Sequence, residues 1–348
     1  MKFLSIANNI EGNNDGIGKH ARIVGNAIIN MGHKVDYCVG STWNKSLFKK
    51  IISMEMCNAY KDAINKIGQS YYDFVVIEYP FCEYNPIVLY YHRLLFEKAH
   101  KLKTKVAFSM HEYDRVSPLR RMLIKGFLPY CDILFITELK YKKELPQYAD
   151  KMWLRQIASQ GIPYYPNLKN GQSLNRFCYL GLVNKSKAFK EMLIAWNKFN
   201  RNNTYHLDVV SNSDLSEYNL DDMKGVKLHT KLSDDDAGKV LSSCCFSIIP
   251  VVPSIGYNNS SFVTAIQCGC IPIGCFNQDL CKEPFIINAN GYDEKNFCHA
   301  LELAVSLNEK DIYLKREQGL TFGKRFSVEK TAEMMINGFK DYESKHKK

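Results

Sequence analysis

Residues 2–39 read KFLSIANNIEGNNDGIGKHARIVGNAIINMGHKVDYCV. A short apolar run is followed by a polar turn, an amphipathic stretch with Ile and Val at helical spacing, and a second apolar run after Gly32. Strand, turn, helix and strand in this order make a βαβ unit. The turn carries chemistry as well, because glycines let backbone amides approach a phosphate and the helix N-terminus adds favourable partial charge. Gly16 and Gly18 form a GxG, but Ala21 stands where a dinucleotide fingerprint needs its third glycine. Val39 and Gly40, rather than an acidic residue, end the second run. The turn therefore predicts an anionic or sugar ligand rather than NAD, with a tight turn that holds no ligand as the alternative.

The pattern repeats outward from this unit. YDFVVIEY (72–79), KVAFSMH (105–111) and CDILFIT (131–137) have the length and composition of buried parallel strands. Helical patterns separate them over roughly 46–68, in NPIVLYYHRLLFEKAHKL (85–102) and in PLRRMLIKGFL (118–128). IASQGIPYYPNLKNGQ (157–172) has no periodicity and reads as a linker. The alternation restarts with strands at 176–182, 205–210, 225–229, 245–251 and 270–274. Helices are expected at 187–199, 233–243 and 260–268, and in a final segment, 327–345, that Ser327 can cap. The 348 residues suit two domains. We place a Rossmann-like domain at 1–160, a second at 173–325, and a C-terminal helix at 326–348 that packs back on the first. The fold class is α/β, two Rossmann-like halves facing a cleft, with ligands at the carboxyl ends of the strands.

Composition narrows the function. Hydrophobic residues at 46% and charged residues at 24% are those of a globular chain. No apolar run approaches the ~20 residues of a membrane span, and MKFLSIANN lacks the long apolar stretch of a secretory signal. The 12 cysteines are scattered without CxxC spacing. Even Cys268, Cys270, Cys275 and Cys281 read as small buried hydrophobes rather than a metal set. The net charge of +10 is uneven: residues 1–165 hold 23 Lys+Arg and 15 Asp+Glu, a net of +8, which leaves +2 for the rest.

Four segments in order resemble the family-4 glycosyltransferases, nucleotide-sugar enzymes of the GT-B fold. DGIGKHARIVGNAIINMGHKV (15–35) is similar to their opening, with His20 on the helix and Gly32, His33 and Val35 at the strand entry. FSMHEYDRV (108–116) is similar to their strand-end His segment, with His111 as the histidine and Glu112 for the usual Asp. YLGLVNKSKAFKEMLIAWNKF (179–199) resembles the opening of the donor domain, and Lys187 falls on the phosphate-binding lysine. CCFSIIPVVPSIGYNNSSFVTAIQCGCIPIG (244–274) resembles the loop, turn, helix and strand that hold the donor. The donor motif is divergent: Leu182 replaces an arginine, Ala188 a glycine, and Gly256 and Thr264 the paired glutamates.

The resemblance implies transfer of a sugar from a nucleotide-diphosphate sugar to a glycan or lipid-linked acceptor, as in bacterial surface polysaccharide assembly. It implies no cofactor beyond that substrate. It places Gly16, Gly18, Lys187, Gly256, Tyr257, Asn258, Asn259, Ser260, Ser261 and Thr264 at the donor, and His20, Glu112 and Asp114 on the acceptor side. His111 and Lys187 become the catalytic candidates, His111 orienting the donor phosphate or acceptor hydroxyl and Lys187 stabilising the phosphate. Glu112 or Asp114 suits a general base if the enzyme inverts stereochemistry; the resemblance implies retention, which needs none. The amides and hydroxyls of 257–261 can pair sugar hydroxyls where the glutamates are missing; the alternative is a polar loop that caps a helix. Glu78, past a strand end, reads as a solvated carboxylate. No metal is implied, since no Asp-x-Asp ends a strand and Asp234–Asp236 read as a helix cap.

The basic excess lies in two helices. Arg93, Lys98, Lys101, Lys103 and Lys105 fall in 90–105; Arg115, Arg120, Arg121 and Lys125 fall in 115–130 beside Leu119, Met122, Leu123 and Ile124. Cations beside large apolar groups suit an anionic bilayer surface; the alternative is a core-packed helix with a solvated face. Nucleic acid is not implied, since no basic–aromatic array is visible. The expected location is the cytoplasm, peripheral on the inner face of the cell membrane. The missing Arg and Glu residues keep a second reading open, a catalytically silent GT-B subunit that partners an active transferase. A sugar-nucleotide epimerase of the same fold is a third.

Overall fold

The computed structural model describes residues 1–10, 16–40, 52–79, 85–111, 113, 116–166, 173–184 and 187–346. The chain divides into two compact units, Met1–Ala158 with Val328–Lys348, and Ser159–Ser327.

The first unit is built on β1 (Lys2–Ala7), α1 (Gly16–Asn30), β2 (Lys34–Val39), α2 (Glu55–Gln69), β3 (Phe74–Tyr79), α3 (Ile87–Lys101), β4 (Lys105–Met110), α4 (Pro118–Phe127), β5 (Ile133–Ile136), the single turn α5 (Tyr141–Glu144) and β6 (Met152–Leu154). Its six-stranded sheet has the order β2-β1-β3-β4-β5-β6, and every pairing is parallel. Parallel strands are buried on both faces, so their side chains feed two cores. Val75 and Ile77 of β3 join one core with Leu95, Phe108 and Phe127. Phe74 and Val76 point to the other, where Phe3 and Phe135 meet the final helix of the chain, α11 (Val328–His346), through Ala332, Met335 and Phe339. The Phe339 ring lies tilted against that of Phe74, with centroids 4.1 Å apart.

The second unit continues with β7 (Ser173–Leu180), α6 (Phe189–Phe199), β8 (His206–Val210), β9 (Val226–His229), α7 (Asp234–Ser242), β10 (Cys244–Ile249), α8 (Ser260–Gln267), β11 (Ile271–Gly274), β12 (Ile287–Asn288), α9 (Glu294–Ser306) and α10 (Glu309–Gly323). Its parallel sheet runs β12-β11-β10-β7-β8-β9. The strand order reverses between β7 and β10, as it does between β1 and β3 in the first sheet. Such switch points are where open α/β sheets bind ligands, outside the carboxyl ends of the strands.

The alternation expected from the sequence gives both α/β sheets. Four details differ. The start of the expected linker is anchored: the Gln160 N–H donates to Thr264 Oγ1 (2.9 Å) and the Tyr165 N–H to Ser242 Oγ (3.0 Å). Ser233, not an aspartate, caps α7, with Asp234, Asp235 and Asp236 filling the first turn. Arg115 lies outside the described residues; the rest of the basic segment, 116–130, sends Leu123, Ile124, Phe127 and Leu128 into the core, and its helix α4 is packed, yet Leu119 and Met122 stay 44% and 62% exposed. All described cysteines are free thiols, and the expected burial holds for Cys268 and Cys270 but not for the half-buried Cys275 or the exposed Cys281. No helix among the described residues is long and apolar enough to cross a membrane.

Candidate functional site

At the carboxyl edge of the first sheet, the start of α1 is pressed against the end of β1. A Cβ on Gly18 would lie 2.0 Å from the Asn9 carbonyl oxygen, whereas one on Gly16 would meet nothing within 4 Å. Gly18 is thus demanded by backbone packing, a role that needs no ligand. The tight approach brings His20, one turn into α1, to the switch point.

Four side chains close a buried cluster there. Glu78 is the fifth residue of β3 and pairs in register with Ser109 of β4. His111 follows β4, held by its N–H to the Tyr79 carbonyl (3.2 Å) and by Thr137 Oγ1 donating to its own carbonyl (3.0 Å). Arg155 follows β6, with its N–H on the Ile136 carbonyl (2.8 Å). Arg155 Nη1 donates to both Glu78 oxygens (3.1 and 3.0 Å) and to Ser109 Oγ. His111 Nε2 lies 2.8 Å from Glu78 Oε2, and Arg155 Nη2 lies 3.1 Å from His20 Nδ1. The two imidazoles meet edge to face at 5.1 Å. Glu78 is 3% exposed, Arg155 3%, His111 5% and His20 6%.

Burial works to push the Glu78 carboxyl up, but the Arg155 guanidinium and the His111 N–H outweigh it and hold the group well below the usual carboxylate range. Burial also drives His20 well below its ordinary value, and Arg155 reinforces it. His20 therefore stays neutral. The neutral ring can accept from only one of its two donor neighbours, Arg155 Nη2 at Nδ1 or the Ala158 N–H, 3.3 Å from Nε2. This corrects the sequence reading of Glu78 as a solvated carboxylate; it is the centre of a closed charge network. Ligand atoms of His20, Glu78 and His111 fall within 4.8 Å of one another, but Arg155 already occupies the space between carboxylate and imidazole. A cation would have to displace the guanidinium, so the set does not fit a metal. Glu112 and Asp114 lie outside the described residues.

The second switch point is built differently. Gly181, directly after β7, has φ +136°, and a Cβ there would sit 3.1 Å from Ser261 Oγ. Only glycine holds this conformation at low cost. The loop from β7 is pinned to the end of β10: Lys187 bridges Val251, and the Ala188 N–H donates to the Pro250 carbonyl (2.7 Å). Lys187 thus stands at the carboxyl ends of the two strands that flank the reversal. From β10 the chain runs through Gly256 and Tyr257 to the N-terminus of α8. Asn259 caps that helix by accepting the Phe262 N–H (2.8 Å), so the capping alternative holds for this residue. Ser260 begins the first turn, Ser261 next to it receives Gln160 Nε2 at 3.5 Å, and both follow the half-buried Asn258.

Two residues expected at the donor make contacts within the unit. Thr264 is fully buried and its hydroxyl accepts the Gln160 N–H (2.9 Å), so it holds segment 159–161 rather than presenting a polar group. Tyr257 stacks on Phe322 and Phe326, 6.1 Å from each. Arg155 and Gln160 are functional candidates that sequence reasoning missed. Neither lies in a resembling segment, and Arg155 is 77 positions from the carboxylate it pairs with.

No family model matches the chain, and no curated protein matches it. Solved structures do. The catalytic domain of starch synthase IV from Arabidopsis thaliana, bound to ADP and acarbose, superposes with a TM-score of 0.69 at 12% identity over 99% of both chains. Anabaena HepE in complex with UDP and glucose gives 0.67 at 9% identity, over 98% of this chain and 100% of that one. A putative UDP-N-acetylglucosamine 2-epimerase from Listeria monocytogenes gives 0.65 at 10% identity, over 99% and 97%. At these identities the likeness shows the fold, GT-B, along the whole chain.

Proposed function

We propose that the protein is a glycosyltransferase, akin to family 4 with an altered donor pocket, that moves a sugar from a nucleotide-diphosphate sugar to a glycan or lipid-linked acceptor. One observation carries the reading. At the switch point of the second sheet a glycine turn, Lys187 and the amino end of a capped helix converge, and helix-start N–H groups with a lysine are what a diphosphate requires. Ser260, Ser261 and the amides of Asn258 and Asn259 are the groups offered to sugar or ribose hydroxyls in place of the missing glutamates. Several structures of the same fold are solved with UDP or ADP bound, which supports this choice of ligand class.

In this reading the first unit takes the acceptor, His111 is its catalytic group, and the exposed Leu119 and Met122, among Arg120, Arg121 and Lys125, touch the anionic inner face of the cell membrane. Flotation with liposomes tests that contact: recovery should require anionic lipid, and equal recovery without it refutes it. Calorimetric titration with UDP-, GDP- and dTDP-sugars tests the donor. One of them should bind, and Lys187→Ala should weaken it roughly tenfold, the loss of a charge-assisted phosphate contact. No binding by the folded protein refutes the enzyme.

Leu182, Gly256 and Thr264 favour a second reading, a silent GT-B subunit, because they leave the donor site without its carboxylates and arginine. Nucleotide-sugar binding without release of nucleoside diphosphate, with any acceptor offered, selects it.

A further inference from the structure

We propose that Glu78 and Arg155 are positioning residues that fix His111 as the Nε2–H tautomer, leaving Nδ1 as the only acceptor of its ring. The proposal rests on the reading above, that His111 acts on substrate. The argument runs along the chain of donors. An ionised carboxylate only accepts, so the ring nitrogen 2.8 Å from Glu78 Oε2 must donate. The carboxylate cannot turn away, because Arg155 Nη1 bonds both of its oxygens. Arg155 is held in turn by Ser109 Oγ at Nη1 and by His20 Nδ1 at Nη2. His20, neutral and donor-faced, completes the enclosure. His111 itself is set by two backbone contacts, to Tyr79 and from Thr137.

A carboxylate that orders the far nitrogen of a histidine makes the near nitrogen a defined acceptor for a hydroxyl proton or, once protonated, a defined donor to a phosphate oxygen. Arg155 lets that carboxylate remain charged in a buried place without a second carboxylate. The charged and titratable groups facing the cluster are Glu78 from β3, Arg155 from the end of β6 and His20 from α1. Tyr37 of β2 and Arg22 of α1 lie further out beside Glu78.

The test needs no substrate. Long-range ¹H–¹⁵N correlation on the full-length chain labelled at histidine nitrogen reports the tautomer and titration of each ring, and His111→Gln assigns the signal. In the native protein His111 should favour Nε2–H by more than about tenfold. Glu78→Gln, whose amide can donate as well as accept, should weaken that tautomer preference. Arg155→Lys, which keeps the charge, should retain the tautomer. Because a single loss leaves a buried charge, the double variant Glu78→Met with Arg155→Met is the decisive one: it removes both charges and keeps the volume. A folded double variant whose His111 drifts to within about threefold of tautomer parity supports the positioning role. A folded double variant with an unmoved His111 ring overturns it and leaves the reading beneath intact. Unchanged sugar-nucleotide turnover by His111→Gln overturns that reading instead.

Discussion

The two switch points present the same architecture with opposite chemistry. In the first unit the carboxyl edge is packed with buried charge, and each charge is answered locally: Glu78 by Arg155 and His111, Arg155 by Glu78. In the second the edge is lined by a glycine turn, hydroxyls, amides and helix-start N–H groups, with Lys187 beside them. Buried charges are tolerated only when paired, so the first edge is rigid and self-contained. Neutral donors at a helix N-terminus carry no full charge that must be paired inside the fold, and in the proposed function they meet the donor's phosphate. In the proposed function one parallel sheet holds a histidine still and the other receives a phosphate.

The largest effect should come from breaking the charge pair. Arg155→Met strands Glu78 in a buried site and should cost about 3–5 kcal/mol by urea unfolding, while pairing it with Glu78→Met should recover most of the loss. A loss below about 1 kcal/mol in the single variant would mean that the pair is not buried as described.

Acid should separate the units next. Burial pushes His92, fully enclosed beside Tyr60 and Phe127, down to about 4, and His20 falls well below its ordinary value too. Both stay neutral in the fold while the unfolded chain takes up protons below about 6.5, so stability declines as pH falls below that point. At pH 5 His92 alone should cost about 2 kcal/mol. Glu78, depressed, keeps its contribution until pH falls below the ordinary carboxylate range, where the unfolded chain begins to protonate first. Hydrogen exchange at pH 7 and 5 should show protection lost first in the first unit's strands; earlier loss in the second would reverse the comparison.

The smallest effect sharpens the second site. Thr264→Val removes the acceptor for the Gln160 N–H and should cost about 1–2 kcal/mol of stability, with nucleotide affinity unchanged. A fall in affinity equal to that of Lys187→Ala would return Thr264 to the list of donor contacts.

The central strands of both sheets could be read from the sequence because β1, β3, β4 and β10 are mainly apolar runs buried on both faces, a pattern that parallel burial imposes. The edge strands β6 and β12 could not. At three and two residues they carry no periodicity, and tertiary pairing alone defines them. The reading also assigns no element from 275 to 326, where α9 and α10 lie. At the candidate site Gly16 and Gly18 stood out as a turn, and His20, His111 and Lys187 through the family resemblance. The role of Glu78 did not, although one carboxylate inside FVVIEY, otherwise an all-apolar and aromatic run, signals a buried partner. That partner, Arg155, follows a strand too short to recognise.

Hydrogen exchange in the presence of each UDP-, GDP- and dTDP-sugar tests the account most directly. With the sugar nucleotide that binds, the amides after β7 and the first turn of α8, at 181–188 and 259–264, should gain the strongest protection in the chain. Protection confined to the first unit, or none with any of the nucleotides, would contradict the placement of the donor on the second sheet.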